Sequence, residues 1–101
     1  MNTPILIVAF NRADKVQRVF NRVREVQPKQ LFLSVDGARS HKKEEAEKVK
    51  AVQDVINQVD WECEVKTLFR EENLGCRVGV SSGIDWFFEH VEHGIILEDD
   101  C

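Results

Sequence analysis

The run GIILEDDC (94–101) carries three successive carboxylates, Glu98, Asp99 and Asp100, at the end of an apolar stretch. Two carboxylates held about 4 Å apart repel by about 4 kcal/mol at an effective dielectric of about 20. A proton or a cation usually offsets that cost. A strand ending in adjacent acids presents hard oxygen ligands, which suit magnesium or manganese with positions left open for a phosphate. An acidic loop in water is the competing account. Along an extended backbone Glu98 and Asp100 point one way and Asp99 the other, so the three need not share one task.

Two further positions have the same character. Asp36 ends the apolar run LFLSVD (31–36), where a carboxylate needs a polar partner or a cleft, or an Asx-turn with Gly37. Arg12 follows ILIVAF (5–10) and is suited to gripping a phosphate through two parallel N–H groups, or to an ordinary surface role. ENLGCRVGVSSG (72–83) places Gly75, Gly79 and Gly83 four apart, as expected where a backbone approaches a ligand or a sheet closely. Neither the dinucleotide fingerprint G-x-G-x-x-G after the first strand nor the phosphate loop G-x-x-x-x-G-K-[ST] occurs. His90 and His93 have no third metal ligand nearby and read as solvated or capping residues. KKEEAEK (42–48) reads as the wet face of a helix, with opposite charges at helical spacing.

The elements that must position these groups follow from periodicity. ILIVAF, LFLSVD and GIILED are continuously or nearly continuously apolar, as parallel strands buried on both faces are. CEVKTLF (63–69) is more polar and reads as an edge strand. Val16, Val19, Phe20, Val23 and Val26 recur at helical spacing, as do Val49, Val52, Ile56 and Val59, and then Val80, Ile84, Phe87 or Phe88, and Val91. Pro28 and Gly94 fall where helices should end. The order is βαβαβαβ, an α/β fold with an open parallel sheet and flanking helices. Ligands of such sheets collect outside the carboxyl ends of the strands where strand order reverses. Asn11-Arg12, Asp36-Gly37, the segment 70–75 and Glu98-Asp99-Asp100 all fall on that rim.

Composition bounds the rest. One hundred and one residues, 43 % hydrophobic and 32 % charged with both signs interspersed, make a single globular domain. A net charge of −4 argues against nucleic acid as a partner. Cys63, Cys76 and Cys101 are odd in number with no close spacing, so reduced thiols are expected, with neither a disulfide framework nor a zinc site. The first apolar run lacks a basic leader and is too short to span a bilayer. A cytoplasmic protein with no transmembrane segment is expected.

Taken together, PILIVAFNR, LFLSVDG, FREENLGCRVG and GIILEDDC, in this order and separation, resemble the nucleotide-binding half of GT-A glycosyltransferases. The resemblance covers essentially the whole chain and is nearest to the N-acetylglucosaminyltransferase I type and related bacterial sugar transferases, whose acidic motif reads E-D-D. It implies a Rossmann-like nucleotide-diphospho-sugar transferase half spanning 1–101, part of a longer chain that continues after E-D-D. It also implies a uridine-linked donor, a manganese or magnesium ion, and a saccharide or lipid-linked acceptor. By motif position Asp36 would accept from the uracil N3–H, and Val8 and Arg12 would flank the nucleotide. Glu98 and Asp99 would contact the ribose or sugar, Asp100 would bind the metal, and Asn73 and Arg77 would be further contacts. The third helix lacks the histidine that N-acetylglucosaminyltransferase I places against the nucleotide. The general base that deprotonates the acceptor lies downstream of E-D-D in the family.

Two other functions compete. A sugar nucleotidyltransferase uses a similar sheet but carries G-x-G-x-R after its first strand, which AFNRADK does not match. A non-catalytic nucleotide-binding or assembly module would keep the fold without turnover. In the GT-A arrangement later strands flank the fourth. A chain ending at E-D-D would therefore expose Ile95, Ile96 and Leu97 on an edge able to pair with a second copy.

Overall fold

A strand with no polar side chain needs cover on both faces. Ile5–Ala9 (β1) is such a strand, and all five of its residues are buried. A computed structural model describes residues 2–99 and places β1 inside a four-stranded, all-parallel sheet of order β3-β2-β1-β4. The other strands are Gln30–Val35 (β2), Glu64–Phe69 (β3) and Ile95–Glu98 (β4). Three helices connect them, Ala13–Val26 (α1), Glu45–Asp54 (α2) and Cys76–His90 (α3), and Val55–Gln58 continues α2 as a 3-10 turn.

The strand period of two divides the core. Ile5, Ile7 and Ala9 of β1 and Leu31, Leu33 and Val35 of β2 point to the face covered by α1 and α2, where they meet Val16, Phe20, Val23, Val49, Val52 and Val55. Leu6, Val8 and Phe32 point to the opposite face, where Phe87 of α3 is the buried partner. The chain steps from β1 to β2 to β3 in one direction and then returns across two strands to β4. Right-handed crossovers therefore put α1 and α2 on one face and α3 on the other. The reversal at β1 opens a crevice between the carboxyl ends of β1 and β4.

Helix ends follow local chemistry. Asp14 in the first turn of α1 and Arg24 in the last complement the helix dipole. Gln27 closes α1 in the left-handed region at φ 46°, its N–H donating to the Val23 carbonyl, and Pro28 prevents continuation. Val26, expected on the apolar stripe, is 45 % exposed because it falls on this last turn, beyond the sheet. On α3, Phe87 is the buried member of the Phe87/Phe88 pair, and Phe88 is 43 % exposed. Both β3 and β4 are edge strands among the described residues. That explains why β4, read as nearly continuous apolar sequence, is half-covered and not buried on both faces. Among the described residues no helix is long and apolar enough to cross a membrane.

Candidate functional site

A cleft of about 290 Å³ opens where the strand order reverses. Its floor is Val8 at the end of β1 and Ser34 in β2. Its walls come from each strand exit in turn. Asn11 and Arg12 follow β1, and Asp36 and Arg39 follow β2. Arg70 and Asn73 follow β3, and Glu98 and Asp99 end β4. The volume is at the low end for small-molecule sites. A larger ligand would be only partly enclosed by it.

Asp36 has a definite structural task. One carboxylate oxygen accepts the N–H groups of Gly37 (2.9 Å) and Leu74 (2.8 Å), and the other accepts from Gly75 N–H (3.0 Å) and Asn73 Nδ2 (3.2 Å). A carboxylate offers about four lone-pair positions, so these four donors fill it. Asn73 also donates to the Gly37 carbonyl at 2.8 Å. The segment 70–75 is thereby strapped across the end of β2. A Cβ at Gly37 would lie 2.6 Å from the Glu72 backbone, which is why glycine follows Asp36.

The four-residue glycine spacing is now resolved by position. Gly75 adopts φ +87°, a conformation L side chains rarely take, immediately before α3. Gly79 and Gly83 face the sheet. A Cβ at Gly79 would come 3.3 Å from an Asp36 oxygen, and one at Gly83 would come 2.7 Å from Ser34 Oγ. Close approach of α3 to the sheet, and so the depth of the cleft, depends on both.

A second carboxylate cluster lies beside the cleft. Glu45, at the start of α2, is 5 % exposed and accepts from Arg39 Nε (2.8 Å), Arg39 Nη2 (2.6 Å), the Arg39 N–H (2.9 Å) and Asn11 Nδ2 (3.1 Å). The hydrogen bonds from Arg39 hold its carboxyl at a pKa of about 2, against desolvation that acts the other way. Arg39 in turn lies with its guanidinium carbon 5.7 Å from the Phe10 ring centre. Arg70, by contrast, donates to a neutral partner, Ser82 Oγ at 3.0 Å, and its Nε is buried without a hydrogen bond among the described residues. Arg70 thus keeps its net charge at the cleft, whereas Arg39 shares its charge with Glu45.

The cleft brings together Val8, Arg12, Asp36, Asn73, Glu98 and Asp99, all expected from sequence. Arg77 lies apart from them. It sits one residue past the α3 start and lines a shallow adjoining groove with Ser81, Asp85 and Glu98. Asp100, the expected metal ligand, lies outside the described residues. Among those that are described, no group of three or more His, Cys, Asp or Glu side chains is arranged to hold a metal.

Sequence reasoning missed Phe10, Ser34, Arg39 and Glu45, and placed Asn11 on the rim without giving it a role. For Glu45 a signal existed: it stands four and seven residues before Val49 and Val52, on their buried stripe. Cys76 is disulfide-bonded, correcting the expectation of reduced thiols, and Cys63 is the free cysteine among the described residues. His90 donates from Nδ1 to the Trp86 carbonyl at 2.9 Å, the local cap expected of it.

The cleft combines Arg70, whose described partner is a neutral hydroxyl, with a carboxylate pair and a flat aromatic edge. That mixture suits a ligand with an anionic end, a planar polar end and a cation between acid and anion. Comparison with models of known protein families, with curated proteins and with solved structures finds no match.

Proposed function

We propose that this chain is the donor-binding part of a metal-dependent GT-A glycosyltransferase. Its ligand in this reading is a nucleotide diphospho-sugar, uridine-linked, whose sugar passes to a hydroxyl of a saccharide or lipid-linked acceptor. One observation carries the reading: Arg12, Asp36, Asn73, Glu98 and Asp99 leave four separate strands and meet in one cleft at the reversal of strand order. Glycosyl transfer leaves a diphosphate, and its growing negative charge calls for cationic groups at that rim. Arg12 and Arg70 are the cleft cations placed to receive it.

Asp100, with Glu98 and Asp99 beside it, supplies hard oxygen donors of the kind that bind manganese or magnesium through one or two carboxylates plus ligand phosphates. When bound, such an ion stabilises the leaving diphosphate as a Lewis acid. Asp36 contributes by holding the strap at 70–75 in place, since its four internal donors leave little capacity for a ligand. The base that activates the acceptor is assigned to sequence beyond E-D-D. Calorimetric titration with UDP in manganese buffer tests the reading: a saturable single site supports it, and no binding removes it.

A further inference from the structure

Glu45 orients two cleft groups at once, and their hydrogen-bonding senses are opposite. A carboxylate only accepts, so the Asn11 amide must turn its Nδ2 toward Glu45. That leaves the Asn11 carbonyl oxygen as an acceptor. Arg39 commits Nε and one N–H of Nη2 to the same carboxylate, and three of its five N–H donors remain. Asn11 Nδ2 and Arg39 Nη2 both bond to Glu45 Oε2, so the acceptor and the donors stand side by side at the cleft.

The charge distribution shows which part of a ligand this pair fits. Phosphate is drawn to uncompensated cations, and Arg70, whose partner among the described residues is the neutral Ser82 hydroxyl, is one. Arg39 is paired with a buried carboxylate, so it offers direction and a flat surface with little net charge. Phe10, under the guanidinium, extends that flat surface. An uncharged planar ring is the fitting occupant.

We infer that Asn11 and Arg39, positioned by Glu45, read the edge of the nucleotide base and select a keto base over an amino base. A keto pyrimidine places a carbonyl oxygen beside an N3–H, which matches Arg39 donating and Asn11 accepting. Cytosine reverses both groups, setting amino hydrogens against Arg39 and a lone pair against the Asn11 oxygen. The inference rests on the reading that this cleft takes a nucleotide. It moves recognition of the base N–H away from Asp36, whose acceptor positions are filled from within the chain.

The test is calorimetric binding of UDP, CDP and inorganic pyrophosphate, in manganese buffer, to the wild-type chain and to Arg39→Lys and Glu45→Gln. Arg39→Lys keeps a cation on the exposed side of the pair, so it guards against a folding defect in Glu45→Gln. The wild type is expected to favour UDP over CDP by about tenfold or more, as one well-placed charge-assisted hydrogen bond warrants. Both variants should compress that preference to about threefold or less and leave pyrophosphate affinity unchanged. A wild type indifferent between UDP and CDP, a preference unmoved in Arg39→Lys, or a parallel fall in pyrophosphate affinity each overturns the inference while leaving the cleft a nucleotide site. No binding of any of the three to the wild type overturns both.

Discussion

The carboxylate of Asp36 accepts the backbone N–H of Leu74 at 2.8 Å, joining the end of β2 to a segment 38 residues later. Through that contact and its three companions, one side chain sets the entry to α3 and one wall of the cleft. The sequence placed Asp36 on the rim and left a polar partner, a cleft or a local turn open to it, and the family resemblance implied a ligand-facing acid. Its position makes it the residue that gives the rim its shape.

Asp36→Asn should therefore destabilise the fold before it affects any ligand. An amide replaces one acceptor oxygen with a donor that would face the Gly75 N–H and the Asn73 amide, and those partners are part-buried. A loss of about 2–4 kcal/mol is expected in urea unfolding, from charge-assisted bonds lost and donors left unsatisfied. A change below about 0.5 kcal/mol would show that the strap at 70–75 is held by other contacts.

Glu45 predicts an acid-dependent loss of stability. Its folded pKa, about 2, lies below the ordinary 4.5, held down chiefly by the Arg39 side chain. A depressed folded pKa contributes stability that is present above pH 4.5 and is lost as pH falls toward 2. Unfolding free energies measured across that window should fall with pH in the wild type. The slope should be shallower in Glu45→Gln, and equal slopes would contradict the assignment.

The face of the sheet under α3 depends on few residues. Phe87 is fully buried, with its ring centre 4.9 Å from that of Phe32 in an edge-to-face contact. Phe87→Ala should cost about 3–5 kcal/mol, while Phe88→Ala, at a residue 43 % exposed, should stay within about 1 kcal/mol. Thermal unfolding of the two variants separates these cases, and equal losses would mean that the register of α3 is misassigned.

Legibility followed the physics of burial. β1 and β2 announced themselves because a strand covered on both faces has no polar period to confuse it with a surface strand. The three helical stripes were readable, and the rim residues followed once the strand ends were placed. Two features resisted. β4 looks buried by composition, yet burial on both faces depends on a neighbouring strand that no local pattern records. Glu45 sits in KKEEAEK, where its neighbours do fit a solvated helix, and its burial shows only against Val49 and Val52. Arg39, in a loop with no periodicity, depends on Glu45 for its placement and so was equally hidden.

The central claim is that acids and arginines from separate strand exits form one site for a metal-bridged nucleotide diphosphate. Equilibrium titration of UDP into the wild-type chain and into Asp100→Ala, each with and without manganese, tests it most directly. The account predicts saturable binding that strengthens with manganese in the wild type, and at least about tenfold weaker, manganese-insensitive binding in Asp100→Ala. Binding that ignores both manganese and Asp100, or no binding by the wild type, would contradict it.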